Sequence, residues 1–137
     1  MTMAEHYYTN RPTSDHDYRM IRQEIFGRVF TFETDSGVFS REGIDFGTRV
    51  LIETLPPLRG RILDLGCGWG ASGIPVAHKN PNCEILSCDI NERAVLLANR
   101  NIRANGLNNI KAIENTMTMA DDGKASAAKT RENGKLR

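Results

Sequence analysis

Apolar and polar positions change their period several times along the chain, and each change marks an element. Between Tyr18 and Glu33, Ile21 and Ile25 precede a break at Gly27, and Val29, Phe30 and Phe32 follow it. A stretch so rich in β-branched and aromatic residues, split by glycine, predicts a β-hairpin. Asp35-Ser36-Gly37 is a turn signal, and Val38-Phe39-Ser40 runs on from it to a second break at Gly43. From Ile44 to Leu55 the apolar positions 44, 51, 52 and 55, with Val50 beside them, form a helical stripe. Pro56-Pro57 ends it, because a residue before proline avoids the α region. Arg59-Gly60 then turns the chain into Arg61–Leu65, which reads as the first central strand of a sheet.

Ala71–Lys79 is predicted to be a short helix, with Pro75 in its first turn, where a missing N–H costs little. Cys83–Cys88 is a second apolar strand with Asp89 at its end. Asn91 suits a helix N-cap and Glu92 its first turn. Ala94, Val95, Leu97, Ala98 and Ile102 form the apolar side of that helix, and Asn105-Gly106 closes it. Asn109–Ile113 reads as a third strand. Strand, helix, strand, helix, strand in this order means an α/β fold with right-handed crossovers and a parallel, doubly wound sheet. Met1–Asp17 has no period and reads as a leader, in which His6 and His16 are taken as ordinary exposed histidines. From Thr116 onward there is no aromatic and no β-branched aliphatic residue. Such a segment buries too little apolar area to offset its ordering entropy, and residues 116–137 are expected to be a disordered, non-native tail. The domain proper is expected to span residues 18–115.

Composition narrows the class without naming a function. The chain has 137 residues, 39% hydrophobic and 26% charged, which describes one ordinary globular domain. A net charge of +1 neither favours nor excludes a polyanionic partner. The three cysteines, Cys67, Cys83 and Cys88, form no CxxC pair and have no histidine set nearby. They read as free thiols in a reducing, cytoplasmic setting rather than as metal ligands. No apolar run approaches the length of a membrane span, and no apolar leader stands at the N-terminus.

The chemistry concentrates in Ile62–Gly70, read as Ile-Leu-Asp-Leu-Gly-Cys-Gly-Trp-Gly. An apolar run breaking into alternate glycines is a buried strand entering a tight turn, where the backbone comes close to a ligand. Two cofactor classes use such a turn. Gly68, Gly70 and Gly73 fit the G-x-G-x-x-G spacing of dinucleotide sites. Asp64, Gly66, Gly68 and Gly70 fit D-x-G-x-G-x-G completely, and the carboxylate discriminates. A pyrophosphate is repelled by Asp64, whereas S-adenosylmethionine has no phosphate and carries cationic groups that a carboxylate favours. Asp89, at the second strand end, suits a pair of ribose hydroxyls in either class. Ile90 is placed to pack on an adenine face or to serve as ordinary core.

With those residues in hand, Ile62–Gly70 and Asp89 resemble motifs I and II of class I S-adenosylmethionine-dependent methyltransferases. Asp35–Ser40, followed by Ile44-Asp45-Phe46-Gly47-Thr48-Arg49 and Leu51, is similar to the segment before motif I in small-domain methyltransferases related to bacterial 16S rRNA guanine-N2 methyltransferases. The resemblance runs from about His6 to Asn115. It implies a Rossmann-like methyltransferase fold, of which this chain holds the N-terminal half of the parallel sheet with a preceding β-hairpin. It also implies S-adenosyl-L-methionine as cofactor and ribosomal RNA, or a ribosomal subunit, as substrate, with a guanine exocyclic amine as acceptor. The cofactor-binding residues it implies are Asp64, Gly66, Cys67, Gly68, Gly70, Asp89 and Ile90, with Val38 and Phe39 from the upstream loop. An adenine contact after the third strand falls to Glu114 or Asn115. The family's Asn-Pro-Pro-aromatic acceptor motif has no counterpart, since Asn80-Pro81 precedes the second strand. The chain therefore reads as truncated after the third strand, with no residue assigned to catalysis and no metal or membrane partner. The alternatives are a non-catalytic S-adenosylmethionine-binding remnant and an oxidoreductase-type dinucleotide domain.

Overall fold

The computed structural model describes the backbone of residues 13–38, 43–119, 125–132 and 135–136, with side chains up to residue 115. The predicted hairpin is present as β1 (Arg19–Ile25) and β2 (Arg28–Thr34), antiparallel with Ile21 opposite Phe32. Its two-residue loop has φ of 56° at Phe26 and 73° at Gly27. Positive φ at both positions is the primed turn whose twist matches that of the strands it joins. The stripe from Ile44 to Leu55 becomes α1 (Phe46–Thr54), capped by the Asp45 carboxylate, which accepts the Thr48 N–H at 2.7 Å. Only Ile52 of that helix is buried; Phe46, Val50 and Leu51 are exposed.

The five-element run that follows has the predicted order: β3 (Gly60–Leu65), α2 (Gly73–Lys79), β4 (Cys83–Asp89), α3 (Glu92–Ala104) and β5 (Ile110–Met119). Strands β3, β4 and β5 pair in parallel, aligning Ile62 with Ile85 and Ile85 with Ile110. Pro75 sits in the first turn of α2, and Asn91 caps α3 by accepting the Arg93 and Ala94 N–H groups. Two placements differ from expectation. Strand β3, read as central, stands at the edge of a sheet ordered β3-β4-β5-β6-β7. Along the far edge of β5, where residues 116–137 are expected to be a disordered tail, β6 (Ala125–Glu132) pairs antiparallel, with β7 (Lys135–Leu136) beyond it. An exposed strand edge is a row of unmet N–H and C=O groups, and pairing a further strand along it satisfies them.

The core lies between the hairpin, the two helices and one face of the sheet. Phe30 and Phe32 are fully buried, and the Phe32 ring lies 4.8 Å from that of Trp69, itself 1% exposed. Helix α3 docks on β2 through two asparagines as well as through its apolar stripe. Asn101 accepts the Glu33 N–H at 2.7 Å and donates to the Glu33 carbonyl at 3.0 Å. One turn later Asn105 accepts from Thr31 N–H at 3.1 Å and donates to its carbonyl at 2.8 Å. The amides thus stand in for a neighbouring strand and satisfy β2 backbone groups that would otherwise be buried unpaired.

Candidate functional site

The turn between β3 and α2 is built from conformations that glycine adopts without strain. Gly66, Gly68 and Gly70 have φ of 71°, 56° and 109°. At Gly70 a Cβ would also stand 2.5 Å from Ile74 Cδ1. Gly73 serves closeness rather than φ. A Cβ there would meet Ile110 Cδ1, Asp64 Oδ2 and Ser87 Oγ at 2.9, 3.0 and 3.1 Å, so α2 lies directly on the sheet. The turn is bound to the end of β4, where the Cys88 carbonyl accepts both the Gly66 and Cys67 N–H groups at 2.8 and 3.0 Å.

Asp89 closes this turn from the other side. Its Oδ2 accepts the Gly68 N–H and its Oδ1 the Asn91 N–H, each at 2.9 Å. The carboxylate is therefore oriented before any ligand arrives. Beside it opens a hollow of about 240 Å3, lined by Gly66, Cys67, Gly68 and Asp89 together with Val38, Ile44, Asp45 and Thr48. That is smaller than the roughly 300–1,000 Å3 of complete small-molecule sites. The described residues thus supply part of a cradle. A larger depression of about 640 Å3 lies elsewhere, over Leu63, Leu86 and Lys111, and holds none of the predicted site residues.

Of the residues singled out from sequence, Val38, Gly66, Cys67, Gly68 and Asp89 line this hollow together. Gly70 is buried behind it and shapes the turn. Asp64 lies under α2, where it accepts the Ser87 hydroxyl at 3.3 Å. Burial pushes the Asp64 carboxyl above the usual range, the Ser87 hydrogen bond opposes the rise, and the nearby Asp89 charge adds to it. Ile90 is not among the wall residues and is 36% exposed, so it is not ordinary core either. Phe39 lies outside the described residues. Glu114 aligns with Asp89 across the β4–β5 pair, while Asn115 is buried against Cys88. All three cysteines are buried free thiols; burial raises the Cys67 thiol most, and the Asp89 and Asp64 charges raise it further. Among the described residues no group of histidine, cysteine or carboxylate side chains is arranged to hold a metal, and no helix is long and apolar enough to cross a membrane.

Sequence reasoning did not find the residues behind the Val38 wall. Asp35, with no exposed surface, accepts from His16 Nδ1 at 2.5 Å and from the Asp17 and Ser36 N–H groups at 2.6 and 2.7 Å. Arg93 Nε stands 3.6 Å from the same carboxylate. Burial alone would raise the Asp35 pKa, but these hydrogen bonds and the guanidinium charge outweigh it and hold the carboxyl below its ordinary value. The Asp-Ser-Gly turn signal marks the place, but apart from the Ser36 N–H its partners come from elsewhere in the chain: His16 and Asp17 from the segment before β1, and Arg93 from α3.

The turn, its Asp89 clamp and the strand order agree with what comparison with known proteins finds. The methyltransferase small domain model matches residues 29–128. The chain belongs to the methyltransferase small domain family. Within it, the chain is 39% identical over 117 residues to YbxB of Bacillus subtilis, an uncharacterised protein, covering 84% of this chain and 58% of that one. It is 40% identical over 90 residues to ribosomal RNA small subunit methyltransferase C of Vibrio vulnificus, covering 66% of this chain and 26% of that one. Among solved structures, it matches the T. thermophilus 16S rRNA methyltransferase RsmC in complex with AdoMet and guanosine. That match has 31% identity and a TM-score of 0.61, over 69% of this chain and 26% of that one. The fold is accordingly the Rossmann-like one expected, and the chain spans 58% or less of these relatives.

Proposed function

We propose that the chain is the cofactor-binding part of an S-adenosylmethionine-dependent methyltransferase whose acceptor is a guanine amine of ribosomal RNA. The observation that carries the reading is the Asp89 carboxylate, held by the Gly68 and Asn91 N–H groups at the lip of a glycine turn. A fixed carboxylate beside a close-approaching backbone suits a ribose diol, and the likeness to a structure holding AdoMet favours S-adenosylmethionine over a dinucleotide. The donor set fits the cofactor: Gly66 and Gly68 offer backbone to its methionine and ribose end, Asp89 takes the ribose hydroxyls, and Val38 gives apolar contact. The group itself would bring an electrophilic methyl on a sulfonium. The chain's residues contribute by orientation and by keeping water from the reacting end, which is where most of the rate enhancement in such a displacement arises. Ribosomal RNA as substrate is supported by the likeness to ribosomal RNA small subunit methyltransferase C and to a structure holding guanosine. A soluble, cytoplasmic protein is consistent with that substrate.

A second reading is favoured by one sequence fact. The Asn-Pro-Pro-aromatic motif that holds the acceptor amine in the resembled family is not in this chain. The chain alone would then bind cofactor without transferring methyl. Calorimetry with S-adenosylhomocysteine and NAD side by side tests the cofactor class: binding of the former and not the latter is expected, and binding of NAD alone would overturn it. A methylation assay on bare small ribosomal subunits separates the two readings, since transfer supports the enzyme and binding without transfer supports the non-catalytic fragment.

A further inference from the structure

The loop Asp35–Val38 brings Val38 into the lining of the hollow beside the glycine turn, yet it belongs to neither the sheet nor a helix. Three successive residues of it are held from behind. Asp35 is bound as described above, Ser36 offers its carbonyl to Arg93 Nη1 at 2.9 Å, and Gly37 offers its carbonyl to Asn91 Nδ2 at 2.8 Å. Arg93 also donates from Nη2 to the Ser14 carbonyl at 2.8 Å and from Nη1 to the Ser14 hydroxyl at 3.2 Å. Both donors are withdrawn from solvent: the Arg93 side chain is 12% exposed and Asn91 is 8% exposed.

Asn91 and Arg93 stand in the same first turn of α3 that fixes Asp89. The Asn91 N–H grips Asp89 Oδ1, the Asn91 Oδ1 caps the helix, and the Asn91 Nδ2 holds the loop. One short segment thus ties together two parts of the lining, one carrying Asp89 and the other Val38. The hydrogen bond to Gly37 is surplus to what a helix cap requires, since the cap uses the amide oxygen and the tether uses the amide nitrogen.

We propose that Asn91 and Arg93 are positioning residues that hold the Asp35–Val38 loop at a set distance from Asp89, and thereby determine the affinity of this site for its nucleoside ligand. The proposal rests on the reading of the hollow as an S-adenosylmethionine site. A loop with no ladder hydrogen bonds of its own samples other arrangements unless it is tethered, and a ligand must then order it at the expense of affinity.

The test uses S-adenosylhomocysteine and the full chain, with Trp69 as an internal fluorescence reporter, because it is the sole tryptophan and lines the hollow. Asn91→Ser keeps an oxygen for the cap and loses the nitrogen that reaches Gly37. It is expected to bind about tenfold more weakly, the usual consequence of losing one buried hydrogen bond, with a Tm close to wild type. Amide exchange at Ser36, Gly37 and Val38 should rise in the same variant without ligand. Arg93→Lys should not rescue, because one ammonium cannot span the Ser14 and Ser36 carbonyls. Arg100→Ala is the control: it breaks the Arg100–Glu33 pair at 3.2 Å between α3 and the hairpin without touching the loop, and wild-type affinity is expected. Wild-type affinity in Asn91→Ser, or equal weakening in Arg100→Ala, would overturn the proposal. Failure of the wild-type chain to bind would instead remove the cofactor reading itself, and the wild-type arm separates that outcome from failure of the tether.

Discussion

On the face of the sheet that meets α2 and α3, register aligns Ile62, Ile85 and Ile110 in one row and Asp64, Ser87 and Ala112 in the next. The second row closes under Gly73, and Ala112 has no exposed surface. On the opposite face the same strands present Leu63 beside Leu86, with Leu63 58% and Leu65 65% exposed. Among the described residues those two leucines stay exposed, and the exposed Arg61–Glu84 pair, at 3.8 Å, joins the same two strands. A parallel sheet is ordinarily covered on both faces. The contrast shows that the glycine turn, its Asp89 clamp and the loop tether are all supported from one side. Among the described residues, the lining of the hollow includes neither Leu63 nor Leu65 of the open face.

Substitutions on the two faces should therefore differ widely. Ile85, 4% exposed on the covered face, should cost about 2–5 kcal/mol when replaced by alanine, read as a lowered urea midpoint. A loss of less than a kcal/mol there would mean that this face is loosely packed. Gly70→Ala strains a backbone at φ 109° and should cost about 1–3 kcal/mol, with weaker S-adenosylhomocysteine binding in the same protein. Unchanged binding would show that the turn tolerates distortion and that the comparison rests on packing alone.

A smaller effect tests Asp64, the partly buried carboxylate of the covered face. The Asp64 pKa is raised by burial, so the folded chain favours its neutral form. Native stability contributed by this group is then greatest at low pH and declines as pH rises from the ordinary carboxylate range through its raised value. Urea midpoints across that range should fall more steeply for wild type than for Asp64→Asn, and parallel slopes would place the charge elsewhere. The smallest effect belongs to the open face, where Leu63→Lys should change stability by under about 0.5 kcal/mol. A markedly larger loss would mean that Leu63 is covered in solution.

Much of this was readable in advance wherever a signal is local. The hairpin follows from Phe26-Gly27 between two apolar runs, and α3 from Asn91 at one end and Gly106 at the other. Asp89 was placed by its strand end alone. What escaped notice joins distant parts of the chain. Asn101 and Asn105 interrupt the polar side of α3 as ordinary residues would, and only the docked β2 shows that they act as strand substitutes. Arg93 reads as a surface arginine until the loop around Asp35 closes on it. Ile90 fits an apolar contact by its neighbourhood in sequence, and its 36% exposure rules out only the reading of it as ordinary core.

The sequence by itself determined the order of elements from β1 to β5, the glycine turn and the carboxylate at each of two strand ends. These depend on period, on φ preferences and on caps, which act within a few residues. The tertiary structure decided which carboxylate faces the hollow and which is buried beneath a helix. It also decided that, among the described residues, β3 lies at the edge of the sheet and that the loop carrying Val38 is held by the first turn of α3. Those outcomes depend on which buried polar groups find partners when separate segments meet, and no local pattern encodes that pairing.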